Sequence, residues 1–200
     1  MKCIKKILQI LILALALVGI LAIGGKDYIT KKLDSAIATT PEAVNEIANK
    51  VGDFSEISEE YEIDKAASAF GYEGVLAEHD ASGQKMVVVK TGKKPIVTVE
   101  DFENDNVEKK LMDFVKKIKY QSMEVQDFRV TQKGTMDAYG QENVPYVRFS
   151  AKISKLPVGN VEGIISAVKT SDGETKMLVS VNEGNKYSQD IANEFFNNIK

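Results

Sequence analysis

Cysteine occurs once, at position 3, and tryptophan not at all. No disulfide can form within the chain, and everything after Cys3 carries no thiol to oxidise, which suits a body held outside the cytosol. Cys3 precedes the long apolar run instead of following it, which excludes a bacterial lipoprotein signal. It reads as an incidental residue at a membrane edge rather than an acylation site. Histidine is equally scarce: His79 stands alone, so a histidine-based triad must use it, and a zinc site would have one imidazole and no thiolate. Arginine is limited to Arg129 and Arg148 among 26 basic residues. That skew to lysine, with many Asn and Ile, resembles the output of an AT-rich bacterial genome. No Asn-x-Ser/Thr acceptor occurs, so nothing points to a glycosylated ectodomain. Positive charge is in deficit as well. Setting aside Lys2, Lys5 and Lys6 leaves 23 basic against 29 acidic residues, a net charge of -6. An acidic body is unsuited to nucleic acid or to a broad anionic lipid face.

What the chain does have is a run without charge. Ile7 to Gly25 reads ILQILILALALVGILAIGG, with Gln9 its one clearly polar side chain. As a helix it would be roughly 28 Å long, close to the hydrocarbon thickness of a bilayer. The expectation is an uncleaved signal-anchor over 1–25, with the lipid bilayer as its partner. The competing reading is a secretory signal cleaved near Gly24, since the three lysines form a basic n-region and Ala22 and Gly24 are small. Lys26, Lys31 and Lys32 follow the segment, so the positive-inside count is nearly balanced, and the short tail favours N-in, C-out. The expected address is a single-pass cell-membrane protein with its C-terminal part extracytoplasmic.

Beyond the segment, residues 26–64 read as a helical stalk and a short amphipathic helix, and 65–200 as an α+β domain. Ile29, Leu33 and Ile37 fall four apart, continuing a helix outward. Thr40-Pro41-Glu42 is a helix start, Val44, Ile47, Ala48 and Val51 make one face, and Gly52 a stop. Asp53 to Asp64 has no clear structure beyond a helical turn near Ile57. Tyr72 to His79, Lys85 to Lys90 and Pro95 to Glu100 read as strands of a meander, joined by Asp80 to Gly83 and Thr91 to Lys94. Val87, Val88 and Val89 suggest a strand covered on both faces. Asp105 to Glu108 is a capping box for a helix with Val107, Leu111, Phe114, Val115 and Ile118 on one stripe. Val125 to Lys133 returns to strand, and Gly134 to Asn143 reads as a loop. Tyr146 to Ile153 alternates, with Val147, Phe149, Ala151 and Ile153 on the dry side. Leu156 to Gly159 breaks it, Val161 to Thr170 and Lys176 to Asn182 form a hairpin over Ser171 to Gly173, and Ser188 caps a last helix. No repeat is visible.

Tight turns between consecutive strands predict an antiparallel sheet of about seven strands with packed helices, hence α+β. A meander, an amphipathic helix, four more strands and a closing helix of the form Tyr-Ser-x-Asp-Ile-x-x-x-Phe-Phe-x-x-Ile, from Tyr187 to Ile199, resemble the PsbP/Mog1-like fold of small exported bacterial proteins. The resemblance spans Tyr72 to Lys200 and implies a fold and an exported setting; it assigns no site residue. A cystatin-like or NTF2-like sheet is the alternative.

Chemical motifs are few, and each has a plainer explanation. Ser82 to Lys85 and Lys90 to Gly92 match Ser-x-x-Lys and Lys-Thr-Gly elements, yet both sit in turns of one meander, where that chemistry cannot assemble. Asp101, Glu103 and Asp105 alternate like calcium ligands, but Asn106 and Met112 occupy the positions where an EF-hand needs Gly and Glu. His79 beside Asp80 reads as a solvent-exposed turn residue. The lysines of Lys109 to Lys119, with Tyr120, read as a solvated helix face rather than a polyanion contact. No catalytic residue, metal ligand or cofactor is therefore assigned, and nucleic acid is not expected. The function class that remains is a binding or structural envelope module, with an envelope protein as partner; an exported hydrolase or metal-dependent enzyme, its site dispersed in sequence, is the alternative.

Overall fold

Alternation along the strands decides which side chains meet, and here it produces two apolar layers on one sheet. The computed structural model describes residues 37–38, 40–69, 71–91, 95–104, 106–115, 119–120, 123–153 and 160–200. The elements in chain order are α1 (Pro41–Val51), β1 (Tyr61–Ala69), β2 (Tyr72–His79), β3 (Lys85–Thr91), α2 (Val99–Glu103), α3 (Val107–Val115), β4 (Lys119–Tyr120), β5 (Met123–Ala138), β6 (Gln141–Ile153), β7 (Asn160–Lys169), β8 (Thr175–Glu183), a 3-10 turn (Gly184–Lys186) and α4 (Gln189–Asn197). The eight strands form one sheet in the order β1-β2-β3-β8-β7-β6-β5-β4, antiparallel throughout. The class is α+β, as the tight turns required. After β3 the chain passes through α2 and α3 to the far edge and returns strand by strand until β8 closes against β3.

Val87 and Val89 enter one layer with Leu76, Phe149, Ile165 and Val179, which α2 and α3 cover through Phe102, Leu111 and Phe114. Met86 and Val88 enter the other with Val75, Ile164 and Leu178, which α1 and α4 cover through Val51, Phe195 and Phe196. The unbroken apolar run of β3 is thus explained by burial on both sides. Each such side chain taken from water contributes about 1.5–3 kcal/mol before conformational entropy is charged against it. The amphipathic helix α1 begins as its sequence required: the Thr40 side chain accepts from the Ala43 N–H at 3.3 Å, and Pro41 occupies the first turn. It ends at Gly52 for a different reason than a left-handed stop. Gly52 is extended, and a Cβ there would meet Ile199 at 2.7 Å and the Tyr139 hydroxyl at 2.9 Å. The glycine lets the helix end approach the C-terminus closely, where Asp53 and Lys200 exchange backbone hydrogen bonds. Ser188 caps α4 as anticipated, accepting from the Ile191 N–H at 3.5 Å.

Several expectations are corrected. Pro95 to Glu100 is not a strand: α2 starts at Val99, because the Asp101 carboxylate accepts the Thr98 N–H at 2.9 Å and closes a helical turn. Gly134 to Asn143 is not a loop. β5 and β6 continue to Ala138 and Gln141, joined by Tyr139 and Gly140 at φ 53° and 65°, a two-residue turn of the kind that suits strand twist. β1 starts at Tyr61 inside the acidic stretch, its alternation masked by a register shift between Ile63 and Lys65. Ile37 does not continue a helix: it bridges antiparallel to Ala67, and the Ala38 N–H donates to the Ala66 carbonyl at 2.9 Å. Among the described residues the strands number eight, where about seven were expected. Among the described residues no helix is long and apolar enough to cross a membrane. The apolar segment Ile7 to Gly25, the stalk before Ile37, and Gly92, Asp105, Ile118 and Leu156 to Gly159 lie outside the described residues.

Candidate functional site: a polar clasp at the β2–β3 turn

Three residues, Asp80 to Ser82, separate His79 from Gly83, and the left-handed φ of 68° at Gly83 lets the chain reverse between β2 and β3. His79 faces the α1/α4 layer, since β2 alternates and Val75 and Ala77 precede it on that side. It is buried, 8 % exposed, which corrects its reading as a solvent-exposed residue. The cause is β1: Tyr61 stands opposite it in register and packs edge-on at 5.1 Å between ring centroids. Tyr61 is itself anchored by donating its hydroxyl to the Ile191 carbonyl at 3.0 Å.

The imidazole clasps the turn. The Ser82 N–H lies 3.3 Å from His79 Nδ1 and the Ser82 hydroxyl 3.0 Å from it. A backbone N–H can only donate, so Nδ1 is the acceptor and the ring proton resides on Nε2, 3.6 Å from the Glu60 carboxylate. Serine, imidazole and carboxylate therefore come together in space although Glu60 is distant in sequence. Their arrangement does not suit acyl transfer. The Ser82 oxygen already accepts the Gln84 N–H at 3.2 Å, and the Gly83 N–H is spent on the His79 carbonyl at 2.8 Å. The donors nearest the hydroxyl are thus committed to the turn, whereas an oxyanion needs donors left free for it.

Beneath the turn, Gln84 is fully buried. Its amide nitrogen donates to Ser180 Oγ at 2.9 Å and to the Ser188 carbonyl at 2.8 Å, and its oxygen accepts the Ser188 N–H at 2.8 Å. One side chain thereby joins β3, β8 and the start of α4. Asn182 adds a link, donating to the Ser82 carbonyl at 3.2 Å and the Lys186 carbonyl at 3.1 Å. Polar groups buried this way are costly unless paired, and here they are paired. No pattern in the chain singles out Gln84; an isolated glutamine before a strand resembles any turn residue.

At the other end of the sheet a lysine is buried. Lys176, 6 % exposed, donates to the Val51 carbonyl at 2.6 Å and lies 4.9 Å from the centroid of the Tyr139 ring. Tyr139 donates its hydroxyl to the same carbonyl at 3.2 Å. The Val51 carbonyl ends α1, where a cation favours the negative end of the helix dipole. Burial lowers the Lys176 pKa and raises that of Tyr139.

The remaining motif residues disperse. Lys85 pairs with Glu78, and Lys90 with Glu174 at 2.8 Å, at opposite ends of β3. Asp101 is bound by Lys110 at 2.6 Å, and Glu103 is exposed. Burial would raise the Asp101 carboxyl, but Lys110 and the Thr98 N–H outweigh it and hold the group below its usual value. Lys109 and Lys110 are exposed on α3, with Lys110 committed to Asp101. Among the described residues no three His, Cys, Asp or Glu side chains converge as a metal site would require. Compared with known proteins, the chain matches no protein-family model and no curated sequence.

Proposed function

We propose that the protein is a membrane-tethered, extracytoplasmic binding or structural module of a bacterial envelope, with a body of PsbP/Mog1-like layout. The bilayer is its partner through Ile7 to Gly25, and an envelope protein is its partner through the folded body. The observation that carries this reading is the state of the polar interior. Ser82, His79, Gln84 and Lys176 are spent on backbone groups of their own fold. What remains for function is the outer surface, which is the property of a recognition module rather than of an acyl-transfer site. Amine-reactive crosslinking of intact membranes tests it, since the surface is rich in lysine. A discrete adduct with an envelope protein is expected, and none under several crosslinker lengths contradicts the reading.

A second reading, an exported hydrolase, has the 3.0 Å contact between Ser82 and His79 in its favour. A fluorophosphonate probe on the full chain separates the two. No labelling is expected; labelling that disappears in Ser82→Ala would replace the module by the enzyme.

A further inference from the structure

The Ser82 N–H is held by an atom that changes its role when it is protonated. It donates to His79 Nδ1 at 3.3 Å, and that nitrogen accepts only while its lone pair is free. The neighbouring backbone bonds of the turn do not involve the ring. The Gly83 N–H donates to the His79 carbonyl at 2.8 Å, the His79 N–H to the Gln84 carbonyl at 2.9 Å and the Asp80 N–H to the Glu60 carbonyl at 2.9 Å. Asn182 adds its own hold on the turn, donating to the Ser82 carbonyl at 3.2 Å. One amide of the β2–β3 turn is thus tied to the state of an imidazole, while those beside it are not.

We propose that His79 is a proton-operated latch on this turn: the neutral ring fastens the Ser82 backbone, and the doubly protonated ring releases it while keeping the Ser82 side chain. When Nδ1 takes up a proton from water, it meets the Ser82 N–H as donor against donor, and that bond is lost. The Ser82 hydroxyl, 3.0 Å from Nδ1, has two lone pairs; one accepts the new Nδ1–H and the other keeps the Gln84 N–H at 3.2 Å. On the far side of the ring nothing changes partner, since Nε2 carries hydrogen in both states and faces Glu60 at 3.6 Å. The surrounding charges come from several elements. Glu194 of α4 reaches the Tyr61 hydroxyl, Asp80 is exposed next along the turn, and Lys186 of the 3-10 turn pairs with Glu183 at 2.6 Å. Lys85 pairs with Glu78, and strand alternation puts that pair on the α2/α3 side of the sheet with Leu76 and Val87. Among the described residues both contacts of Nδ1 come from Ser82. The change is therefore confined to Asp80 to Ser82, whose freed amide turns to water on an outer turn.

The test uses the full chain, labelled with nitrogen-15 in zwitterionic detergent micelles and titrated from about pH 8 to about pH 5. His79 is the single histidine, so its ring nitrogens are read without ambiguity. Long-range proton–nitrogen correlation is expected to show hydrogen on Nε2 alone at the alkaline end and on both nitrogens at the acid end. Over the same step the Ser82 amide, after correction for its intrinsic exchange rate, should lose protection by roughly three- to tenfold, the worth of one hydrogen bond. The Gly83 and Asp80 amides should hold theirs. A ring that carries its hydrogen on Nδ1 at the alkaline end, one that stays neutral throughout, or a Ser82 amide equally protected in both states overturns the proposal. Loss of protection at all three amides together also overturns it, because the turn then opens as a whole. His79→Asn sets an amide oxygen near the place of Nδ1 and cannot titrate. Ser82 should stay protected across the range in that variant, and a step that persists there assigns the effect to another group and refutes the latch.

Discussion

Gln84 makes three hydrogen bonds with no solvent to replace any of them, and its loss is correspondingly expensive. Gln84→Met keeps the volume but removes one partner of Ser180 Oγ and strands both backbone groups of Ser188, so a loss of about 2–4 kcal/mol is expected from the unfolding midpoint in urea. Hydrogen exchange should accelerate first in α4, whose start Gln84 holds. Lys176 and Tyr139 behave differently because they share one acceptor. Removing either leaves the Val51 carbonyl a partner, and Lys176→Met also relieves the desolvation that lowers the lysine pKa. Each of Lys176→Met and Tyr139→Phe should cost no more than about 1.5 kcal/mol, and the pair about 1–3 kcal/mol beyond their sum, since only then is the carbonyl orphaned. A double-mutant cycle measures this, and strict additivity would contradict it. Little of this was legible beforehand. His79 looked exposed because its cover, Tyr61, belongs to a strand that the acidic stretch concealed.

At the level of elements, the readable parts were those with one uninterrupted period. β2 was legible to its ends, and α1, α4 and the stripe of α3 through Val115 also emerge as the pattern implied. Interruptions hid the rest. Register shifts between Ile63 and Lys65 and at three places in β5 move side chains off a strict alternation of two. Tyr139 at positive φ is a poor advertisement for a hairpin; its buried ring and shared hydrogen bond hold it there. The apolar residues Ile96, Val97 and Val99 suggested a strand, but a carboxylate at the third helical position captured the Thr98 N–H instead. The same carboxylate makes α2 and α3 sensitive to acid. Asp101 is held below its usual pKa in the folded chain, so its contribution is present above the ordinary aspartate value and disappears as pH falls through the folded one. Lys110 is half exposed, which limits the pair. Lys110→Met should cost about 1 kcal/mol near neutral pH, and the gap from the wild type should close as pH drops below the ordinary aspartate range. A gap that persists at low pH would contradict the assignment.

At the scale of the whole molecule, the sheet is closed on both faces and managed at its edges. Among the described residues β4 covers only the first part of β5, and β5 carries exposed Asp127, Arg129 and Lys133 among its register shifts. Charges and bulges on an edge discourage pairing with a second chain. β1 at the other edge receives the entering chain at Ile37. Such a body suits display at a surface more than self-association through strands. The proposed membrane tethering predicts on which side of the bilayer the body lies, and protease added to sealed cells reads this directly. With the N-terminus intact, the full chain should sediment with membranes and its C-terminal body should be digested from outside. Recovery of the intact chain in the soluble fraction, or a body that survives in sealed cells and is lost only after lysis, would contradict it.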